Sequence, residues 1–345
     1  MPFRGKTVIV VRKIFVILHI VMTAIQEIRH SIAPEIDRLN ALIEESLDSS
    51  NKLMNQVISN YLKHKGKQLR PMLVMLTAKL FADVNEKVIT AAAAVEILHN
   101  ASLIHDDVVD DSKTRHGNDT INAVWDNHIA VLVGDFFVSN ALQLAIRTDD
   151  LRVINTIASL GKMLSLGEMD QIYNARFHEL DEESYFKVIS HKTASLFVSC
   201  VSVGAYCVGV DDDRLNRMQR FAELFGLCFQ IRDDIFDYFS NEKIGKPTGN
   251  DLREGKITLP LLYALAEGDK GKRADMTELS RKESLSENEI ASLIDFAKKS
   301  GGIEYAEATM YRLRDEAANI LATFPKSRTT SSLLALLDYV ISRES

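Results

Sequence analysis

The chain has 345 residues, 46% hydrophobic and 26% charged, the profile of a globular protein with a large core. A formal net charge of −7 argues against a non-specific nucleic-acid binder. Three cysteines (Cys200, Cys207, Cys228), odd in number and without CxxC spacing, point to free thiols in a reducing, cytoplasmic compartment rather than a disulfide framework. With only 16 Gly and 6 Pro, helices are favoured over a turn-rich β fold.

The chain opens on "MPFRGKTVIVVRKIFVILHIV", basic and apolar, with Arg12 and Lys13 interrupting the run. The uninterrupted stretch from Ile14 to Met22 is too short to span a bilayer, and no small-x-small cleavage site follows it cleanly. Residues 1–21 therefore read as an upstream extension, with Met22 as an alternative start and residues 22–345 as one domain.

From residue 24 onward apolar residues recur every three or four positions. "IDRLNALIEESL", "VISNYL", "PMLVMLTAKLF", "VITAAAAVEIL", "AVLVGDFFVSNALQLAI", "LRVINTIASLGKML", "YFKVISHKTASLFVSCVSV" and "LNRMQRFAELFGLCFQI" all read as helices. Many are apolar on more than one face, as interior helices of a bundle are. Pro71 suits a first helical turn, Asp149 is placed to cap a helix starting near Leu151, and Ser286 with Glu289 forms a capping box. Asp211 to Asp213 read as caps or solvated charge, Trp125 and Phe136 as core, and His105 as a residue that packs helices or supports the neighbouring acids from behind. The polar tract at 267–284 reads as a surface loop or a partly disordered connection between helices, and no strand, repeat or linker stands out. The expected fold is all-α, a single large bundle of antiparallel helices around a deep central pocket.

The chemistry is concentrated in two acidic clusters. "LIHDDVVDDSKTRHG" ends an apolar, alanine-rich run with Asp106, Asp107, Asp110 and Asp111, and like charges at helical spacing repel. "GLCFQIRDDIFDYF" repeats the D-D-x-x-D spacing with Asp233, Asp234 and Asp237. In each copy the first and last aspartate share a helix face and the middle one is turned by about 100°. One such triplet is ordinary as a solvated helix end; two matched copies, each closing an apolar helix, indicate a site. Oxygen-only ligands of this kind suit Mg²⁺ bridging carboxylates to substrate phosphates. Cations follow in the loops: Lys65, Lys67 and Arg70 at a helix entrance, Lys113, Arg115 and His116 after the first cluster, Lys246 and Lys256 after the second. A helix entrance also offers backbone N–H groups to a phosphate. Together these fit two diphosphates bound side by side.

From about residue 40 to its C-terminus the chain resembles the trans-isoprenyl diphosphate synthases (polyprenyl synthetases), most of all the medium- and long-chain, octaprenyl-type members. The resemblance is carried by "GKQLRP", "LIHDDVVDDSKTRHG", "VGDFF", "GEMDQI", "HKTASLF" and "FGLCFQIRDDIFDYF…GKPTGNDLREGKITLP". It implies the isoprenoid synthase fold, usually a homodimer, condensing isopentenyl diphosphate head-to-tail onto an allylic diphosphate such as farnesyl or geranyl diphosphate. Membrane contact would be peripheral at most, for product release. By this resemblance Asp106, Asp107, Asp110, Asp233, Asp234 and Asp237 hold the magnesium ions, three of them with substrate bound. Arg115, Lys192, Lys246 and Lys256 contact the allylic diphosphate. Lys67, Arg70 and His99 bind isopentenyl diphosphate, with Gly66 allowing close approach, and Thr193 and Gln230 line the site near the reacting carbons. The family usually shows two adjacent arginines after the first cluster; here the second is His116, which either replaces it as a pH-dependent donor or faces solvent.

Five positions before Asp106, about 7.5 Å deeper along the helix, stand Ala101 and its neighbour Ser102. Family members that stop at three isoprene units carry bulky aromatics at that level. Small residues there, and Ala94 below them, imply an open tunnel and a medium-to-long product for a quinone side chain. Other readings are a non-catalytic subunit of a heteromeric synthase, a histidine–aspartate phosphohydrolase and a cyclising or head-to-head terpene synthase. Retention of both triplets, the lysines and "GKQLRP" speaks against them.

Overall fold

A computed structural model describes residues 25–343 apart from 64–65, 116, 178–179, 240–247 and 283. The extension read at residues 1–21 and the start at Met22 lie outside the described residues, as do His116, Lys65 and Lys246.

The described chain is almost wholly helical. α1 (residues 25–31) leads into α2 (Ala33–Ser46), α3 (Lys52–Tyr61), α4 (Leu69–Phe81) and the long α5 (Glu86–Val109). After a small hairpin come α6 (Ile121–Val124), α7 (Asn127–Arg147), α8 (Leu151–Phe177) and α9 (Glu182–Ile189). A π-helical turn (Ser190–Ala194) joins α9 to α10 (Ser195–Tyr206), followed by α11 (Asp212–Phe236) and the short α12 (Asn250–Arg253). α13 (Leu259–Glu267), α14 (Lys270–Ser280), α15 (Glu287–Lys299), α16 (Gly302–Ala322) and α17 (Arg328–Ser342) complete the chain.

α10 is the central helix. Nine of its twelve residues are buried, and it packs on α4, α5, α8 and α11, so apolar residues on all its faces are satisfied by neighbours rather than by water. α5 lies most extensively along α7, and α11 along α16. One apolar core runs from Ile25 to Ile341. The α5–α7 approach depends on Gly134, since a Cβ there would lie 2.2 Å from Nε2 of His105. His105 therefore packs two helices together, as the sequence suggested.

Local signals account for most helix ends. Asp211 accepts from Arg214 N at 3.0 Å and caps α11. The Glu289 carboxylate accepts from both Ser286 N and Ser286 Oγ, closing the capping box of α15. Trp125 and Phe136 pack against the core, and Pro71 lies in the first turn of α4.

Four expectations are corrected. The cap of α8 is Asp150, whose Oδ1 accepts from Arg152 N at 2.9 Å, while Asp149 takes a left-handed conformation (φ 51°) in the preceding turn. The tract 267–284 is not a loop: Asp269 accepts from Gly271 N and starts α14, which Met276 and Leu279 pin to the core. Two apolar anchors in eleven residues are too sparse for a periodicity argument. Residues 185–203 are not one regular helix, because the π turn interrupts them. A two-residue hairpin pairs Thr114–Arg115 with Asn118–Asp119, too short for any alternation to show.

Candidate active site

Both acidic triplets occupy the last turn of a long helix, and the third aspartate is the C-cap in each: Asp110 for α5, Asp237 for α11. A helix C-terminus already carries partial negative charge, so clustered carboxylates there are doubly unfavourable until a cation meets them. The middle aspartates turn inward as the helical spacing requires: Asp107 is 5% exposed and Asp234 4%. Burial obliges them to find donors. Asp107 Oδ1 accepts from Arg115 Nε at 2.8 Å, an arginine delivered by the hairpin. Asp234 Oδ2 accepts from Tyr185 Oη at 2.6 Å and its Oδ1 from Gln230 Nε2 at 2.8 Å.

The outer aspartates differ. Asp237 receives backbone N–H groups of Asn250 and Asp251 on its two oxygens, at 3.1 and 3.0 Å, and so caps α12. Asp233 Oδ1 is held by Nη2 of Arg343 at 2.6 Å, an arginine that stacks 3.9 Å over Phe229. Asp110 and Asp106 are partly open. Asp111, the fourth acid of the opening run, is exposed and pairs with Lys113 at 2.6 Å, outside the site.

The cations of the first helix end lie in a cavity that the second helps to line. Asp106 is drawn to Lys192 and Lys256 to Asp110, while Lys256 also feels Glu254 and Asp251. Lys192 and Lys256 line, with Gln171, Thr193, Gln230, Asp234 and Asp251, a cavity of about 180 Å³. Lys192 reaches it from the π turn, a wide-turn insertion of the kind that recurs at functional sites. The approach of that turn to α8 requires Gly167, where a Cβ would lie 2.7 Å from Lys192 N. Lys192 pairs with Glu168 and donates to Gln171 Oε1 at 3.2 Å, and Thr193 Oγ1 donates to Gln230 Oε1 at 2.7 Å.

Proton affinities record the surplus of acid. Burial raises Asp106 to about 6 against the pull of Lys192, with Glu168 and Asp110 adding to the rise. Burial raises Asp234 to about 7, outweighing its hydrogen bonds. Asp251 is pushed well above the carboxylate range by burial and then by Asp234 and Asp237. Lys256 is held above its ordinary value, since Glu254, Asp110 and Asp251 together overcome its burial.

A second basic group lies beside this wall. Arg70 is half-buried, 5.7 Å over the Phe197 ring, and burial lowers its proton affinity against the opposing charge of Glu96. Among the described residues neither Arg70 Nε nor Glu96 Oε2 has a hydrogen-bond partner. His99 is buried nearby, and burial followed by Arg70 and Arg115 pushes it well below 6.5, leaving a neutral imidazole. Lys67 stands 5.5 Å over the Tyr339 ring, and a Cβ on Gly66 would meet nothing within 4 Å. Ala101 is fully buried in α5, and Ser102, half-buried, donates its hydroxyl to His99 O at 2.8 Å.

The structure thus brings Asp106, Asp107, Asp110, Arg115, Lys192, Thr193, Gln230, Asp233, Asp234, Asp237 and Lys256 to one region. Sequence reasoning missed Glu96, Glu168, Tyr185, Asp251 and Arg343. Glu168 and Asp251 carried a local signal, lying in the quoted motifs "GEMDQI" and "GNDLREGK"; Glu96, Tyr185 and Arg343 gain their places through packing.

The family model described as Polyprenyl synthetase matches residues 51–297. The chain is 30% identical over 321 residues to octaprenyl diphosphate synthase of Escherichia coli K12, covering 93% of this chain and 99% of that protein. Geranylgeranyl pyrophosphate synthase from Bacteroides thetaiotaomicron is 38% identical, with a TM-score of 0.81 over 93% of this chain and all of the other. Polyprenyl synthase from Caulobacter crescentus, crystallised with calcium and isoprenyl diphosphate, superposes with a TM-score of 0.86 at 30% identity over 93% of this chain and 98% of the other. The match covers the all-α fold and both acidic helix ends, and the chain belongs to the polyprenyl synthetase family, as a trans-prenyltransferase of isoprenoid biosynthesis.

Proposed function

We propose that the chain condenses isopentenyl diphosphate head-to-tail onto an allylic diphosphate, farnesyl or geranyl diphosphate, to make a medium-to-long, octaprenyl-type all-trans product for a quinone side chain. The observation that carries this reading is the placement of Lys192 and Lys256 between two acidic helix ends. Such an arrangement suits a polyanion held through cations on both sides.

The donor set fits magnesium. It is oxygen-only and richer in acid than in base, and burial raises Asp106 to about 6 despite the pull of Lys192. Among the described residues no three acidic, histidine or cysteine side chains converge closely enough to hold an ion alone. That suits a metal which keeps waters and shares phosphate oxygens. Asp106, Asp110 and Asp233 are the direct ligands on this reading: Asp106 and Asp110 are partly open, Asp233 would exchange its ion pair with Arg343 for the metal, and Asp107, Asp234 and Asp237 are held by protein donors from the hairpin, α9, α11 and α12. When bound, magnesium would stabilise charge on the departing diphosphate, in the family's pattern with three ions.

Arg115, Lys192 and Lys256 then grip the allylic diphosphate. Lys67, Arg70 and neutral His99, an N–H donor without charge, seat isopentenyl diphosphate, so that its double bond faces the allylic carbon. Gln230 and Thr193 present oriented dipoles at the reacting carbons. The proton lost from the adduct passes to the diphosphate, and no protein nucleophile is needed.

Small Ala101 and Ala94, both fully buried in α5, support an open path for the growing chain. A homodimer is supported by exposed apolar residues on α7 and α8, among them Leu132, Ile146, Met169 and Phe177 at 61–63% exposure. The most apolar stretch of α7 has a mean hydropathy of 1.8 yet is only 44% buried, an imbalance that a second copy would relieve. A cytoplasmic location rests on the three free, buried cysteines.

The test is incubation with radiolabelled isopentenyl diphosphate, farnesyl diphosphate and Mg²⁺, followed by chromatography of the dephosphorylated products. Label in prenyl alcohols longer than farnesol is expected. Diphosphate release without chain growth would overturn the proposal.

A further inference from the structure

Prenyl transfer as described uses Gln230 and Thr193 but gives no part to the tyrosine that lines the cavity with them. Tyr185, in α9, is 7% exposed, and its hydroxyl donates to Asp234 Oδ2 at 2.6 Å. Asp234 Oδ1 accepts from Gln230 Nε2 at 2.8 Å, and Gln230 Oε1 accepts from Thr193 Oγ1 at 2.7 Å. The direction of this relay follows from its members. A carboxylate oxygen accepts, so the amide must turn its nitrogen toward Asp234 and its oxygen toward Thr193. The Thr193 hydroxyl proton is then committed to Gln230, and its lone pairs remain for the cavity that both residues line with Lys192.

We propose that Tyr185 is a positioning residue for prenyl transfer: by occupying Asp234 Oδ2 it holds this carboxylate in the orientation that fixes the Gln230 amide and the Thr193 hydroxyl beside Lys192. The inference rests on the prenyl-transfer reading and deepens it. Without the tyrosine hydroxyl, Asp234 keeps one of its two described hydrogen bonds and is free to turn toward the cavity, where Lys256 offers a competing charge. Gln230 then loses the partner that sets its amide, and misplacement at the reacting carbons lowers the chemical step. Substrate uptake at Lys67 and Arg70 is untouched.

The variant Tyr185→Phe keeps the ring and its edge contact with Phe186 at 5.3 Å. We expect kcat to fall about tenfold with the KM for isopentenyl diphosphate within about twofold of wild type, the signature of an interaction felt only at the transition state. Tyr185→Leu, which also removes packing, is expected to lose no more kcat than Tyr185→Phe. A readout independent of catalysis is the Gln230 side-chain amide resonance in labelled protein, identified by its absence in Gln230→Glu. In Tyr185→Phe, free of metal and substrate, those protons should exchange with solvent several-fold faster. A kcat within about twofold of wild type, a change confined to KM, or an unmoved amide resonance would overturn the relay. Absence of prenyl transfer in the wild-type protein would instead sink the proposed function, and the amide resonance would still decide whether Tyr185 orients Gln230.

Discussion

Arg343, one residue beyond α17, donates from Nη2 to Asp233 Oδ1 at 2.6 Å, and this joins the end of the described chain to the first acid of the second triplet. The arginine is fixed there by more than charge: it stacks 3.9 Å over Phe229, donates to Phe229 O, and its own carbonyl accepts from Arg232. A cation bound at Asp233 must therefore displace a preformed ion pair. Arg343→Ala should lower the Mg²⁺ concentration for half-maximal activity about two- to fivefold, the size of a partly exposed pair's contribution. Magnesium titration of initial rates checks this, and an increased requirement would show that Arg343 assists binding rather than competing with it.

Removing a direct ligand has a larger effect. Asp106→Ala or Asp233→Ala should cost roughly two or more orders of magnitude in turnover, the scale of a lost electrostatic contact to developing charge. Both positions are partly open, so the circular-dichroism spectrum should not change. EDTA should abolish activity, and added Mg²⁺ should restore it.

The raised carboxyls make the metal-free protein sensitive to alkali. A carboxyl whose folded pKa exceeds its unfolded value costs no stability below the unfolded value. The cost grows as pH rises between the two and is complete above the folded value. Asp106 at about 6 and Asp234 at about 7, from a starting value of 3.8, define a window from about pH 4 to pH 7. Metal-free Tm should accordingly fall from pH 5 to pH 8, and Asp106→Asn should recover about 1–2 °C at pH 8, the shift expected from roughly 1 kcal/mol in a chain of this length. At pH 5 the same substitution should recover less. Differential scanning fluorimetry at the two pH values decides.

Product length tests the path along α5. Ala101→Phe or Ala101→Tyr places a ring where a methyl now stands, one turn and a half below Asp106. Products should shorten to about three or four isoprene units, with activity retained. An unchanged product ladder would show that the chain grows elsewhere in the bundle.

Association is tested on the apolar face of α7. Leu132→Glu with Ile146→Glu, both 61% exposed, should convert a dimer to monomers in light scattering while leaving helicity intact. Unaltered mass would move the interface away from α7.

The sequence by itself determined the helical class, the helix starts at Pro71 and Ser286 and the two acidic triplets, because those follow from residue spacing and local hydrogen bonding. Asp106 and Asp110 share a face, and Asp107 turns inward, by the pitch of the helix alone. Ser286 and Glu289 close their capping box within four residues. What tertiary structure decided was which partners each acid meets. Arg343 reaches Asp233 from 110 residues away, Tyr185 reaches Asp234 from 49, and Glu96 faces Arg70 from a neighbouring helix. The π turn that presents Lys192 and Thr193 exists because Gly167 lets that backbone lie against α8, a close approach that no local pattern in either segment announces. Even α14 is held by two apolar anchors on a polar tract, too few for periodicity but enough once the core they meet is in place.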